Sequence, residues 1–319
     1  MINLMPDIII KPYHDSNMAE VLSLIERSGH TLRSAETWSA NNMSAVLAYD
    51  SDRLIGSIPF ERFHISLGGG SSMSALWVSA AYVNPDYRSQ GIGTLLDQAI
   101  AKYFYPKYRI VMVVRKNEGS SAFRWYKRIG YSIVSKIESM RLTVSHNIIN
   151  TNYQIFESCH SLENISDQLV ECFNRNNDSY AGYPLRNNSF WCDKFRYHYY
   201  KQSYIYSVLV RTNGKEVISY SLLGRTSMND GVDRLDLLEF VSPDDTYEQY
   251  QTYDSIMNYA YSIGVYELRI QSLEDDYSLK HASSYGFKKR WETNLMAKML
   301  NPKENIPEGN WRFFHVDYL

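Results

Sequence analysis

The residues from Arg88 to Thr94 combine small positions with hydrogen-bond donors in a pattern suited to phosphate. The run Arg88-Ser89-Gln90-Gly91-Ile92-Gly93-Thr94 follows a strand-like segment and opens a helical one. Glycine at 91 and 93 lets the backbone approach a ligand where a side chain would obstruct it. The first N–H groups of a helix lack partners within the helix, and its dipole attracts anions. We therefore predict that residues 88 to 94 bind a pyrophosphate.

Two better-known phosphate-binding motifs do not fit this stretch. A P-loop requires Gly-Lys-Ser/Thr after its glycines, and none follows here. A dinucleotide fingerprint requires a third glycine at position 96, which is Leu96. A purely structural turn remains the alternative, because a Gly-x-Gly pair alone is not specific.

The stretch resembles the acyl-CoA motif of the GCN5-related N-acetyltransferase (GNAT) superfamily, Arg/Gln-x-x-Gly-x-Gly/Ala, which Arg88 to Gly93 match in full. Downstream, Asn117, Ala122, Tyr126 and the pair Gly130-Tyr131 are similar to a second family pattern, with one or two extra residues after Asn117. Together the two motifs span residues 82 to 131. The resemblance implies an enzyme that transfers an acetyl group from acetyl-CoA directly to an amine within a ternary complex, without a metal.

The resemblance also assigns roles in the donor site. The backbone of Tyr82 and Val83 would bind the pantetheine arm, residues 88 to 94 the pyrophosphate, and Asn117 the cofactor arm on the next strand. Tyr126 would lie near the thioester sulfur as the general acid. The alternative for Tyr126 is a helix tyrosine that packs on the sheet beside Phe123.

The general base is less well defined, because Trp77 and Ser79 occupy strand positions where a carboxylate often occurs in the family. Glu61, on the preceding strand, is one candidate; alternatively it is a solvated strand residue. The aromatic carboxyl terminus is the other source: a docked tail would bring Asp317 or the terminal carboxylate of Leu319 into the cleft. Some tandem members of the superfamily are similar in this respect.

The elements that must position these residues follow from hydrophobic periodicity. The pattern predicts strands at residues 8–12, 45–49 and 54–67, then one strand from Met73 to Val83. A helix from about Gly93, a strand at 109–114 and a helix at 120–129 follow, and residues 131–134 and 140–144 are predicted as a last pair of strands. The order indicates an α/β fold with a mixed sheet.

The second half repeats the tail of that pattern. Val241-Ser242-Pro243 parallels Val83-Asn84-Pro85, and Tyr285-Gly286-Phe287 parallels Ile129-Gly130-Tyr131. We predict two tandem GNAT-like domains, at 1–148 and 149–319, with a chance recurrence of elements as the alternative. The run after Pro243 has no glycine and carries acidic residues, which repel phosphate. The second domain is therefore predicted to be degenerate and to support the first.

The composition limits the classes of partner that we expect the protein to bind. The 319 residues carry 33 basic and 35 acidic side chains, a net charge of −2, which provides no broad positive field for nucleic acid. The amino terminus does not resemble a signal peptide and no run approaches a membrane span, so we expect a soluble, cytoplasmic protein with no membrane partner. The three cysteines are too widely spaced for a CxxC pair and are interpreted as reduced thiols, and no metal is expected.

The sequence therefore predicts an N-acetyltransferase that uses acetyl-CoA and acts on a primary amine of a small molecule or peptide. Transfer of a longer acyl group is one alternative. A catalytically idle acyl-CoA sensor or self-immunity protein is another. Neither the acceptor nor the oligomeric state follows from the sequence.

Overall fold

The computed structural model describes residues 8–27, 35–40, 42–115, 118–144, 151–196, 204–227, 233–274, 276–312 and 314. The first half of the chain forms four helices and seven strands in these ranges: β1 (Ile8–Pro12), α1 (Met18–Arg27), α2 (Ala35–Ala40), β2 (Met43–Asp50), β3 (Arg53–Gly68), β4 (Ser71–Val78), β5 (Tyr82–Val83), α3 (Ile92–Phe104), β6 (Ile110–Arg115), α4 (Ser121–Arg128) and β7 (Ser132–Thr143).

The second half has a similar succession of elements after three further helices. Its described elements are β8 (Gln154–Phe156), α5 (Cys159–Glu163), α6 (Ser166–Asn177), α7 (Phe190–Arg196), β9 (Ile205–Asn213), β10 (Glu216–Ser227), β11 (Asp233–Val241), α8 (Thr246–Ser262), β12 (Glu267–Leu273), α9 (Tyr277–Ala282) and β13 (Lys288–Met299).

All thirteen strands belong to one mixed sheet, in which the two halves exchange strands. The order is β1-β2-β3-β4-β6-β13-β7-β12-β11-β10-β9-β8, with β5 paired to β3 beside this path. Strand β13, from the end of the chain, lies antiparallel between β6 and β7 of the first half. Strand β7 in turn pairs antiparallel with β12 of the second half. Each half of the sheet is thus completed by a strand from the other, and the predicted boundary at 148 marks a division of the sequence only.

The predicted pair of strands after residue 130 is wrong, because the chain forms the single strand β7. Residues 132–143 contain neither glycine nor proline, so nothing in them favours a turn. Lys136 pairs with Asn294 on one side, and Glu138 pairs with Ser272 on the other. Partners on both edges keep the strand extended through the interval between the two predicted strands.

The predicted strand from Met73 to Val83 is also wrong in one functionally relevant respect. Strand β4 ends at Val78, and the Ser79 amide donates to the carbonyl of Pro59 at 3.0 Å. The chain then becomes β5, which pairs with Gly56 and Ser57 of β3. Strands β4 and β6 are parallel only from Ala75–Ile110 to Trp77–Met112, so beyond these pairs the sheet is open.

Helices cover both faces of the sheet around separate apolar clusters. Helices α3 and α4 pack on one face of the first half over Phe60, Leu76 and Val113, while α1 packs on the other face of β2 and β3. No helix in the described part of the chain has the length and apolar character needed to cross a membrane.

Candidate active site

A cleft of about 680 Å³ is bounded by β5, the start of α3 and one face of α4. Its volume lies within the range of small-molecule sites. Eight residues predicted to bind the cofactor line it: Tyr82, Val83, Arg88, Ser89, Gly91, Ile92, Gly93 and Thr94. The structure therefore brings the predicted pantetheine and pyrophosphate residues to one cavity.

Most residues between Arg88 and Thr94 line this cleft, and several of their amides find no acceptor among the described residues. Gly91, at the N-cap of α3, is left-handed with φ of 82°, and Ser89 is left-handed with φ of 63°. Amides 88, 94 and 95 donate to the carbonyls of Pro85 and Gly91, whereas those of residues 89 to 93 find no acceptor among the described residues. A Cβ built on Gly91 would meet no atom within 4 Å. The helix thus begins with unpaired donors that border open space, the arrangement that an anion requires.

The two glycines of the motif serve different purposes. Gly91 supplies the left-handed turn, while Gly93 makes room for the indole of Trp125: a Cβ at 93 would lie 3.2 Å from Trp125 Cζ2. Helix α4 therefore packs directly against the first turn of α3, and the Trp125 ring forms a wall of the cleft.

Two polar side chains of the turn donate hydrogen bonds to nearby backbone carbonyls. Arg88 Nε donates to the Val83 carbonyl at 3.0 Å, and its guanidinium lies 5.6 Å from the centroid of the Tyr82 ring. Gln90 is exposed and does not line the cleft; its amide nitrogen donates to the Asp86 carbonyl at 3.1 Å. These contacts stabilise the turn and do not use the main-chain amides of residues 89 to 93.

Tyr126 lies behind the cleft wall. It is 1% exposed and does not line the cavity, although the neighbouring Trp125 ring does, with ring centroids 4.6 Å apart. Arg115 Nη2 donates to the Tyr126 oxygen at 2.9 Å, and the guanidinium lies 4.7 Å from the ring centroid. Burial raises the pKa of the Tyr126 hydroxyl, and Arg115 opposes this rise. The phenol is therefore protonated at neutral pH and adjacent to a cation that favours its anion.

The other predicted catalytic residues lie either away from the cleft or outside the described part of the chain. Glu61 is half-buried on β3, opposite Trp77 of β4 in register, and does not line the cleft. Asn117 and Leu319 lie outside the described residues, as does Asp317. The structure therefore does not bring a carboxylate into the described cleft.

The corresponding opening in the second half is filled by the chain itself. Strands β11 and β12 are parallel only from Arg234–Glu267 to Leu237–Ile270. Beyond these pairs, Phe314 bridges to Ser272, and Arg312 donates to the Phe240 carbonyl at 3.2 Å. The residual cavity there is about 10 Å³.

The first turn of α8, which corresponds to α3, is also occupied. The Asp245 carboxylate caps it by accepting from the Glu248 amide at 3.0 Å, and the Asp245 carbonyl accepts from the Gln249 amide. The position that a pyrophosphate would need is thus taken by an acidic side chain of the protein.

Sequence reasoning missed several residues that shape the first cleft: Ile58, Ala81, Tyr87, Leu96, Ser121, Trp125 and Arg128. The residues on α4 had a usable signal, because 121, 125 and 128 are spaced to share one helix face. Arg115 had none, since nothing local indicates that the end of β6 lies against Tyr126.

Comparisons with known proteins agree with this geometry. Residues 10–134 match the family model described as an acetyltransferase (GNAT) domain. These residues form a GNAT domain. The match supports acyl transfer as the general chemistry of the domain, and the cleft lies within the matched residues. No curated protein sequence matches the chain significantly.

Solved structures resemble nearly the whole chain in fold, and not only the GNAT domain. A GCN5-related N-acetyltransferase from Anabaena variabilis aligns over 92% of this chain and 73% of its own, with a TM-score of 0.71 and 14% identity. A probable N-acyltransferase of unknown function from Enterococcus faecalis covers 93% and 73%, with a TM-score of 0.69 and 12% identity. A tandem GNAT protein from the clavulanic acid biosynthesis pathway covers 93% and 100%, with a TM-score of 0.56 and 10% identity. The fold is therefore that of GNAT proteins, including one of tandem type.

Proposed function

We propose that the protein transfers the acetyl group of acetyl-CoA to a primary amine of a small molecule or peptide, by direct attack within a ternary complex. One observation carries the donor assignment: the unpaired amides at the start of α3 border a cleft in which left-handed Gly91 leaves space. A pyrophosphate accepts hydrogen bonds from such amides and is attracted by the dipole of the thirteen-residue helix.

The rest of the donor follows the lining of the cleft. From the pyrophosphate at residues 89 to 94, the pantetheine arm runs past Tyr82 and Val83 of β5 toward the opening between β4 and β6. Among the described residues β5 pairs with β3 alone, and the Val83 carbonyl, which accepts from Arg88 Nε, keeps a second lone pair for an amide group of pantetheine. In this proposal Asn117 binds the arm from the end of β6.

Tyr126 is the proposed acid that protonates the departing thiolate. Arg115 donates to its oxygen, so the phenolic hydrogen is directed to another acceptor, and the described residues supply none. When the proton leaves, Arg115 stabilises the phenolate that forms. This role requires the thioester to reach past Trp125 to the buried hydroxyl.

Two groups are proposed as the base that deprotonates the incoming ammonium. Glu61 lies on β3, one strand from the opening, and the carboxylate of Leu319 ends the tail that follows Phe314. Phe314 is itself buried, which supports a tail docked against the fold.

We also propose that the second half is degenerate and binds no acyl-CoA. Two observations support this. The opening between β11 and β12 is filled, which leaves no space for a second cofactor, and Asp245 caps α8, which occupies a hydrogen-bond donor at its start. A cytoplasmic location and the absence of nucleic-acid and membrane partners remain predictions from the sequence.

A second candidate function is an acyl-CoA sensor or self-immunity protein without turnover. The 1% exposure of Tyr126 and its position behind Trp125 favour this alternative, because a buried acid serves catalysis only if the site rearranges. A transferase of longer acyl groups would use the same donor contacts.

The decisive experiment measures thiol release from acetyl-CoA and from longer acyl-CoAs with a panel of primary amines. We expect amine-dependent release that falls about 10²- to 10⁴-fold in Tyr126→Phe, the usual contribution of a general acid, with acetyl-CoA affinity retained. Tyr266→Phe, at a tyrosine that is 61% exposed, is the matched control. Mass spectrometry of a cell extract incubated with labelled acetyl-CoA would then identify the acceptor.

Three results would count against the proposal. Tight cofactor binding with no release across the panel would favour the sensor, and faster release from longer thioesters would change the donor. Unchanged turnover in Tyr126→Phe would remove that residue from the mechanism. Glu61→Gln and deletion of the last three residues test the two proposed bases separately.

A further inference from the structure

The packing of α5 against α7 brings together two cysteines that are 33 residues apart. Their sulfur atoms and a carboxylate oxygen of Glu163 all lie within 4.8 Å of one another. Cys159 and Glu163 are four residues apart on α5, a spacing that places both side chains on one helix face. Cys192 comes from α7 and is 6% exposed. The spacing in the sequence did not indicate this cluster, because its members come from two helices.

We propose that Cys159, Glu163 and Cys192 form a binding site for a zinc-type divalent ion. Two thiolates and one carboxylate are a donor set that Zn²⁺ accepts, and thiolates select against Mg²⁺ and Ca²⁺. The site lies at the edge of the second half and is separate from the acyl-CoA cleft, whose lining shares no residue with it.

The distances agree with tetrahedral coordination. Zinc bonds of about 2.3 Å to sulfur and about 2.0 Å to oxygen place neighbouring sulfur and oxygen ligands about 3.5 Å apart. Cys159 Sγ and Glu163 Oε1 are 3.6 Å apart. The Cys192 thiol donates to the Cys159 carbonyl at 3.4 Å, which holds its sulfur at the start of α5. The ion would replace the thiol protons, which are released to the buffer.

A water molecule would complete the proposed set as its fourth ligand, and an imidazole is close by. His160 Nδ1 lies 3.8 Å from the second carboxylate oxygen of Glu163, and its side chain is 95% exposed. The ion would join α5 to α7, which carries the buried Trp191 of the neighbouring core. Its expected role is to stabilise this pair of short helices.

The third cysteine provides a matched control. The Cys172 thiol is fully buried in the same core and donates to the Ile218 carbonyl at 3.3 Å. Burial raises its pKa to about 12, so it stays protonated. Cys172→Ser removes a thiol without touching the proposed site.

The test uses the full chain, reduced and freed of metal, titrated with Zn²⁺ by calorimetry and with Co²⁺ by absorbance. We expect one ion per chain with a Kd of roughly 1 μM or tighter, thiolate-to-cobalt charge-transfer absorption, and a higher unfolding temperature with metal. Cys192→Ser and Glu163→Gln should lose this binding, while Cys172→Ser retains it. Unfolding curves of each variant without metal establish that the variants are folded.

Several outcomes would overturn the assignment. One is the absence of thiolate absorption, and another is equal binding by Cys192→Ser and the wild type. A third is an intact mass lower by two hydrogens in protein isolated without oxidant and restored by a reductant, because the two thiols would then form a disulfide. None of these measurements depends on acyl transfer, so the site can fail while the proposed function stands.

Discussion

Replacement of Gly91 by alanine tests the donor site most directly, because its two expected effects can be separated. The residue is left-handed with φ of 82°, a conformation that costs an L-residue about 1–2 kcal/mol. An added Cβ would meet no protein atom within 4 Å, so no steric clash adds to this cost. We therefore expect the free energy of unfolding of Gly91→Ala to fall by about 1–2 kcal/mol.

The second effect concerns acetyl-CoA. The methyl group that Gly91→Ala introduces would project into the space that the proposed pyrophosphate occupies and would displace it from at least one amide. A hydrogen bond to a charged acceptor contributes about 1.5–3 kcal/mol, which corresponds to a Kd about 10- to 150-fold higher. Titration of acetyl-CoA into the protein by calorimetry measures this change.

Gly264 supplies the control for backbone strain. It follows α8 with φ of 69°, and a Cβ there would also meet nothing within 4 Å. Gly264→Ala should therefore lose similar stability but bind acetyl-CoA as the wild type does. If Gly91→Ala and Gly264→Ala bind acetyl-CoA within about twofold of each other, the pyrophosphate does not lie at Gly91 and the donor assignment fails.

Three further predictions concern stability. Burial raises the pKa of four tyrosines that are at most 2% exposed: Tyr126, Tyr131, Tyr220 and Tyr253. Above about pH 10 the unfolded chain therefore loses its tyrosine protons first, and the free energy of unfolding should fall by up to about 1.4 kcal/mol per pH unit for each tyrosine. A flat urea-unfolding profile from about pH 9 to 11 would contradict this. Arg312→Leu leaves the buried Asp276 carboxylate, 3.2 Å from Arg312 Nε, without its cationic partner. The free energy of unfolding, measured by chemical denaturation, should fall by about 3–5 kcal/mol. Arg109→Leu, which breaks an exposed ion pair, should lower it far less. The fragment 1–148 lacks β13 and should not fold as a monomer by circular dichroism and gel filtration; a stable monomeric fragment would show that β6 and β7 tolerate the loss.

Residues close to the ends of helices made several elements of the first half predictable. The start of α3 followed from Gly91 and Gly93, and the end of α4 followed from Gly130, which is left-handed with φ of 98°. Such signals act within a few residues of the element that they begin or end. Asp245 is a signal of the same local kind in the second half, because its carboxylate caps the start of α8.

The wrong predictions concern elements whose extent depends on residues far away in the sequence. The break at 79–81 depends on Pro59 of β3, and the continuity of β7 depends on β12 and β13, which lie more than 120 residues further along the chain. The partner of Tyr126 could not be predicted, because Arg115 is on another element. Pairing across a sheet leaves no trace in local composition, so neither the strand exchange nor the filled second opening was predictable.

The strand exchange gives the second half a physical role in the first half's site. Lys298, on β13, pairs with the buried Asp97 of α3, and Asp97 accepts from the Tyr131 hydroxyl at 3.3 Å. Burial raises the pKa of the Asp97 carboxyl and Lys298 opposes the rise, so the second half supplies a cationic partner for this carboxyl group inside the first. The Tyr131 ring in turn contacts Tyr126, with centroids 4.9 Å apart. A half that binds no cofactor would therefore still be needed. Its last strand contacts α3, whose first turn is the proposed pyrophosphate site, and through Asp97 and Tyr131 it supports the tyrosine proposed as the acid.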